Sequence, residues 1–171
     1  MKHLTLMRHA NAKWKDREVA DFERPLNRRG HGEAEAMARR LVEMEIKPDL
    51  ILTSSAMRTK QTAETVAREL GIPARQIRTD ESLYLARARD ILKVINATGP
   101  RVPHLMVVGH NPGISRLVHE LGGCLDEEDM NTGSVCSMKF DARVWSEVAA
   151  DCLKDCVYES PPTRLFSALW A

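Results

Sequence analysis

No apolar run in this 171-residue chain approaches the roughly 20 residues needed to span a bilayer, which excludes a helical membrane span. A charge bias is lacking as well. The chain has 25 Lys and Arg against 24 Asp and Glu, for a formal net charge of +1, so there is neither a nucleic-acid footprint nor a polybasic membrane patch. Arg8 and His9 interrupt the first apolar stretch, so it does not read as the h-region of a signal peptide, and a cytoplasmic location is expected. Cysteine is sparse: Cys124, Cys136, Cys152 and Cys156 all fall in the last third. Cys152 and Cys156 are too far apart for a C-x-x-C redox motif, and no histidine pair follows at zinc-finger spacing. The expectation is reduced, structural thiols.

What is present reads as alternating strands and helices. The length fits one domain over residues 1–171, burying about two thirds of its surface. Short apolar runs at Leu4–Met7, Leu50–Leu52 and Leu105–Val108 predict strands, and Val135–Phe140 and Cys156–Tyr158 predict one or two more in the tail. Ala34, Met37, Ala38 and Leu41 place a helix over Gly30–Ile46. Further helices are predicted from Ser55 to Leu70 and from Ala88 to Ala97. Another begins with Asn111 as N-cap and Pro112 at the first helical position, and Gly122-Gly123 closes it. Asn11–Arg29 has no clean period and reads as a long loop. The pattern implies a three-layer α/β/α fold with a mostly parallel sheet.

Three strand ends carry chemistry. The first runs into Arg8-His9, the second into Ser54-Ser55-Ala56-Met57-Arg58, and the third into Gly109-His110-Asn111. Open α/β sheets bind ligands beyond the carboxyl ends of their strands, and helix N-termini there favour anions. Guanidinium groups stay charged and can hold phosphoryl oxygens in a fork, and a neutral histidine can attack phosphorus. The second histidine, when protonated, adds a charged donor to the transition state. The two arginines oppose a divalent ion at the histidine pair, so neither a metal nor another cofactor is expected. His3, His31, His104 and His119 have no such partner motif and read as ordinary histidines.

These residues, Leu6-Met7-Arg8-His9-Ala10, the run Ser54 to Ala63, Gly109-His110-Asn111 and also Arg24-Pro25-Leu26-Asn27-Arg28-Arg29-Gly30, resemble the histidine phosphatase superfamily, also called phosphoglycerate mutase-like. The likeness runs from Met1 to about Val135, and the short chain is similar to the SixA-type phosphohistidine phosphatases. The resemblance implies His9 as the nucleophile and Arg8, Arg58 and His110 as the phosphate pocket. Glu81, in Asp80-Glu81-Ser82-Leu83, falls where many members keep an acid for the leaving group, and reads equally as a capping or ion-paired carboxylate. Many mutase-like members read Arg-His-Gly-Glu where this chain has Arg8-His9-Ala10-Asn11. The missing carboxylate and the short chain argue against a mutase. Asn11 offers a donor to a phosphate oxygen or serves as an ordinary loop residue, and Asn111 offers its backbone N–H.

A phosphatase acting on protein phosphohistidine is therefore expected. A phosphomonoesterase for a small metabolite and a non-catalytic phosphate- or phosphoprotein-binding module are the alternatives. Trp14, with Lys13, Lys15 and Arg17, lies in the long loop beside the expected mouth. It is either simply solvated or part of a docking rim for a protein substrate.

Overall fold

In the computed structural model, which describes residues 1–162, six strands form one sheet in the order β3-β2-β4-β1-β5-β6. They are β1 (Lys2–Arg8), β2 (Leu50–Thr53), β3 (Ile77–Thr79), β4 (His104–Gly109), β5 (Val135–Phe140) and β6 (Leu153–Glu159). The first four run parallel to their neighbours, while β5 pairs antiparallel to β1 and β6 antiparallel to β5. The sheet is thus mixed, its parallel part being where the expected strand ends lie. Sequence patterning finds five of the strands and misses β3, which spans three residues and sits at the sheet edge with one apolar side chain to mark it.

The helices are α1 (Arg28–Glu43), α2 (Met57–Leu70), α3 (Ala88–Asn96) and α4 (Gly113–Glu120). Period-2 alternation along the central strands sorts them into layers. Met7, Ile51, Met106 and Val108 face α1 and α2, meeting Met37, Leu41, Ala63 and Val66. Leu6, Leu52, Leu105 and Val107 face α3 and α4, meeting Ile91, Ile95, Ile114 and Leu117. Three layers follow, as the sequence suggests. β1 and β4 lie side by side, yet the helix after β1 packs on one face and the helix after β4 on the other. That divergence opens a crevice at their carboxyl ends, where α/β sheets bind ligands.

Two helix starts shift from the expected positions. Asn27, in the expected loop, caps α1 by accepting from the Gly30 amide at 2.8 Å, so Arg28 and Arg29 are already helical. Asn111 is not an N-cap: α4 begins at Gly113, after a cis Asn111–Pro112 bond. The Asn111 side-chain oxygen still accepts from the first turn, from the Ser115 amide at 3.3 Å and from Ser115 Oγ at 2.6 Å, and its amide group donates to the Met130 carbonyl. The expected loop also contains a 3-10 turn at Asp21–Glu23 and an isolated bridge between Ala12 and Leu26.

The cysteines depart from the expected reduced state. Cys124, just after α4, is disulfide-bonded to Cys156 of β6 with a Cα separation of 5.8 Å, while Cys136 and Cys152 are free. The two partners are 32 residues apart and meet because the segment after α4 packs against β6, a contact that carries no local sequence signal. Burial pushes the Cys136 thiol up to about 11. Among the described residues no helix is long and apolar enough to cross a membrane.

His3 and His104, register partners on β1 and β4, stack with centroids 3.7 Å apart in the sheet. Burial, aided by the Lys139 charge, lowers the His3 pKa from 6.5 to about 4; burial, then proximity to His3, lowers His104 to about 3. A histidine depressed in the folded state is protonated more readily in the unfolded chain, so stability is full above about pH 6.5 and declines as pH falls below it. The urea midpoint should therefore drop between pH 7.5 and pH 5. A flat or rising midpoint over that range would show that these rings accept protons without unfolding.

Candidate active site

β1 delivers Arg8 to the sheet's carboxyl edge, and His9 continues it, its amide donating to the Gly109 carbonyl at 3.1 Å. His110 directly follows β4 on the neighbouring strand, and the two imidazoles lie 5.4 Å apart, tilted by 59°. Arg58 sits in the first turn of α2, nearly fully buried. The structure thus brings His9, Arg8, Arg58 and His110 to the crevice between β1 and β4.

The state of His9 follows from its partner. Its Nδ1 lies 2.7 Å from the Ala10 carbonyl, which can only accept, so Nδ1 carries the proton in the neutral ring. Nε2 is left with its lone pair. Burial lowers the pKa to about 4 against the opposing pull of the Ala10 carbonyl, and the charges of Arg58, Arg8 and Arg24 lower it further. At neutral pH the ring is uncharged, with the lone pair on Nε2.

His110 is built differently. Its Nε2 is 2.7 Å from Ser54 Oγ, and its Nδ1 faces Arg58 Nη2 at 3.3 Å. Because a guanidinium only donates, Nδ1 accepts and Nε2–H donates to Ser54. Burial, then His9 and Arg58, lower its pKa to about 3. The charged donor that the sequence suggests is thus a neutral ring beside this arginine.

The two guanidiniums are held by different means. Arg8 donates through Nη1 to the Met130 carbonyl at 2.7 Å, and Asn111 steadies that same carbonyl. Arg58 donates through Nη1 to the Asp21 carbonyl at 2.8 Å and through Nη2 to Asp21 Oδ2 at 3.1 Å. Both keep a buried Nε without a hydrogen-bond partner among the described residues. Orphaned buried donors of this kind are rare.

Asp21 and Tyr84 are the residues that sequence reasoning misses. The Asp21 carboxylate accepts from Arg58, from Arg24 Nη2 at 2.9 Å and from the Tyr84 hydroxyl. Tyr84 in turn stands edge-on to His110, centroids 5.5 Å apart. Burial works to raise the Asp21 carboxyl, but hydrogen bonds from Tyr84 and Arg24 and the Arg58 charge outweigh it and hold it well below the usual range. Asp21 lies in an aperiodic stretch, and only the Arg24-Pro25-Leu26 segment beside it hints at its importance.

The other predicted residues are placed less centrally. Glu81 opens a short turn after β3 and is exposed; its side chain makes no hydrogen bond among the described residues. Asn11 anchors the loop: its amide donates to the buried Glu33 and its side-chain oxygen accepts from Asn27 at 2.6 Å. Asn111 holds Met130, as described above. A concavity of about 860 Å³ lies elsewhere, between β2 and α3.

Two substitutions test this scaffold. Asp21→Asn removes the charge that positions Arg58 and should lower kcat/KM about tenfold or more in steady-state assays. Unchanged kinetics would show that Arg58 needs no such anchor. A Cβ on Gly30 would lie 1.8 Å from the Asn11 carbonyl oxygen. Gly30→Ala should therefore destabilise the protein by about 1–3 kcal/mol in thermal denaturation.

Comparison with known proteins agrees with this geometry. The model of the histidine phosphatase superfamily (branch 1) matches residues 4–84, which include Arg8, His9 and Arg58. An uncharacterised Mycobacterium tuberculosis protein is 37% identical over 111 residues, 65% of this chain and 66% of that one. The chain spans 60% to 66% of the curated relatives it matches. Among solved structures, one described as a phosphohistidine phosphatase SixA from Agrobacterium tumefaciens is 30% identical with a TM-score of 0.75, covering 91% of this chain and 97% of that one. Another, described likewise from Nakamurella multipartitia, is 25% identical with a TM-score of 0.78, covering 94% and 96%. With an Arg-His pair at the end of β1, a second histidine at the end of β4 and a buried arginine opening α2, the chain belongs to the histidine phosphatase superfamily.

Proposed function

We propose that the protein is a phosphatase whose His9 takes up the phosphoryl group covalently, and that its substrate is phosphohistidine in a protein. The observation that carries this reading is the His9 ring itself: neutral, its Nδ1–H fixed on the Ala10 carbonyl, its Nε2 lone pair unclaimed, in a crevice shared with the buried Arg58 and the half-buried Arg8. In the first step Nε2 forms a bond to phosphorus as the bond from phosphorus to the leaving group breaks. In the second, water attacks phosphorus, phosphate departs and Nε2 regains its lone pair. Splitting the transfer this way replaces one difficult displacement with two easier ones.

Arg8 and Arg58 hold the non-bridging oxygens through their guanidinium forks. His110 accepts from Arg58 through Nδ1 and so helps hold that guanidinium in place for the phosphoryl oxygens. The leaving group explains why Glu81 need not supply a proton. An imidazole protonated on its second nitrogen departs as a neutral ring, and that nitrogen titrates near neutrality, at about pH 6.5. An alkoxide would need an acid. The phosphohistidine reading is further supported by the two neighbours described as SixA phosphatases.

His9→Ala should abolish turnover, and Arg8→Ala or Arg58→Ala should each lower kcat by a factor on the order of 10². The deciding comparison is kcat/KM on free phosphohistidine against an aryl phosphate monoester, with His9→Ala as the blank. Preference for the phosphoramidate supports this reading. Preference for the ester, together with strong dependence on Glu81, would replace it with a metabolite phosphatase. Absence of His9-dependent turnover on both would leave a phosphate-binding module.

A further inference from the structure

Large apolar side chains in solvent are unevenly placed on this molecule. Among the described residues seven are exposed, and five of them, Trp14, Val19, Phe22, Met57 and Leu85, belong to the segments bordering the phosphoryl pocket. Four of these are chain neighbours of the network that holds Arg58. Phe22 (49% exposed) follows Asp21, Met57 (37%) precedes Arg58, and Leu85 (55%) follows Tyr84. Trp14, 92% exposed, follows Lys13, whose carbonyl accepts from Arg24 Nη1 at 2.6 Å, and Arg24 is itself paired with Asp21. One charged knot thus fixes the bases of four outward-facing apolar side chains.

Two further observations indicate that this exposure is built. Leu85 has φ +49°, in the left-handed region that costs a non-glycine residue energy and persists only where its surroundings impose it. Trp14 leaves nearly its whole ring in water, forgoing the stabilisation that burying an aromatic side chain brings. Around it Lys13, Lys15 and Arg17 alternate with Asp16 and Glu18, all exposed. An apolar, aromatic centre within a mixed polar rim is the make-up of a protein-docking surface.

We propose that Trp14, Phe22, Met57 and Leu85 form a docking collar for the surface of a folded protein surrounding its phosphohistidine. This rests on the phosphohistidine reading above and adds where the protein is gripped. The four side chains spring from positions next to Lys13, Asp21, Arg58 and Tyr84, the network around Arg58, so a protein that presents phosphorus to His9 brings its own surface toward them. A small polar metabolite would find nothing there to bury, whereas the apolar surface beside a protein histidine would cover these side chains and gain from the water released. Because Asp21 joins collar and pocket, docking and phosphoryl binding share one support.

The test compares a small folded protein phosphorylated on a surface histidine with free phosphohistidine, using wild type, Trp14→Ala, Phe22→Ala and, as a control on α1 away from the mouth, Val42→Ala. Trp14→Ala should raise KM for the phosphoprotein about tenfold while changing kcat/KM on free phosphohistidine less than about twofold, with Phe22→Ala acting in the same direction. Val42→Ala should leave both unchanged. Equal losses on the two substrates would overturn the collar, because the side chains would then be serving the pocket. So would a wild-type enzyme that does not prefer the phosphoprotein. If wild type hydrolyses neither substrate but turns over an aryl phosphate ester through His9, the phosphohistidine reading has failed, and the collar falls with it.

Discussion

A buried Arg58 and a half-buried Arg8 stand beside an uncharged imidazole, and much of the surrounding structure answers to that juxtaposition. Burying a charge is expensive unless it is paired or hydrogen-bonded, yet full neutralisation would leave nothing for an incoming anion. Arg8 and Arg58 meet the two demands differently. Arg8 rests on a main-chain carbonyl, a dipole that stabilises the cation without cancelling it. Arg58 has a carboxylate partner, but Asp21 divides its oxygens among Arg58, Arg24 and Tyr84. Burial first, and then the positive field that remains, keeps His9 unprotonated.

The fold brings that arrangement about by dividing its helices. Because the helices after β1 and β4 leave on opposite faces, His9 and His110 sit side by side with nothing of the sheet between them. The loop after β1 is then folded back by contacts converging on one point: Asn27 caps α1, reaches Asn11, and Gly30 leaves room for the Asn11 carbonyl. Glu33 completes the knot by receiving the Asn11 amide and the Thr132 hydroxyl. The segment carrying Asp21 is in this way positioned from α1, far along the chain from the strand it serves.

Much of this was legible from residue order. The strand ends at Arg8-His9 and Gly109-His110 and the arginine opening α2 are local features, as are the 3.6-residue stripes of the helices, and the structure brings the residues together as expected. What escaped was what depends on partners distant in sequence. Asp21 has no periodic context, and its value arises from Arg58, 37 positions away. Asn111 followed by proline has the form of a helix start, yet its side chain is claimed by Ser115 and Met130. The disulfide depends on where β6 packs, and β3 is too short to show a period.

The partner of His9 Nδ1 is the main-chain oxygen of the very next residue. In many sites the tautomer of a reactive histidine is set by a carboxylate or hydroxyl, which a single base change can delete. Here no substitution can delete the acceptor, since every amino acid brings the same carbonyl. The tautomer is a property of backbone shape at the end of β1, and it is lost only if that turn is redrawn. Genetic drift can therefore reshape the surrounding loops while the lone pair stays on Nε2.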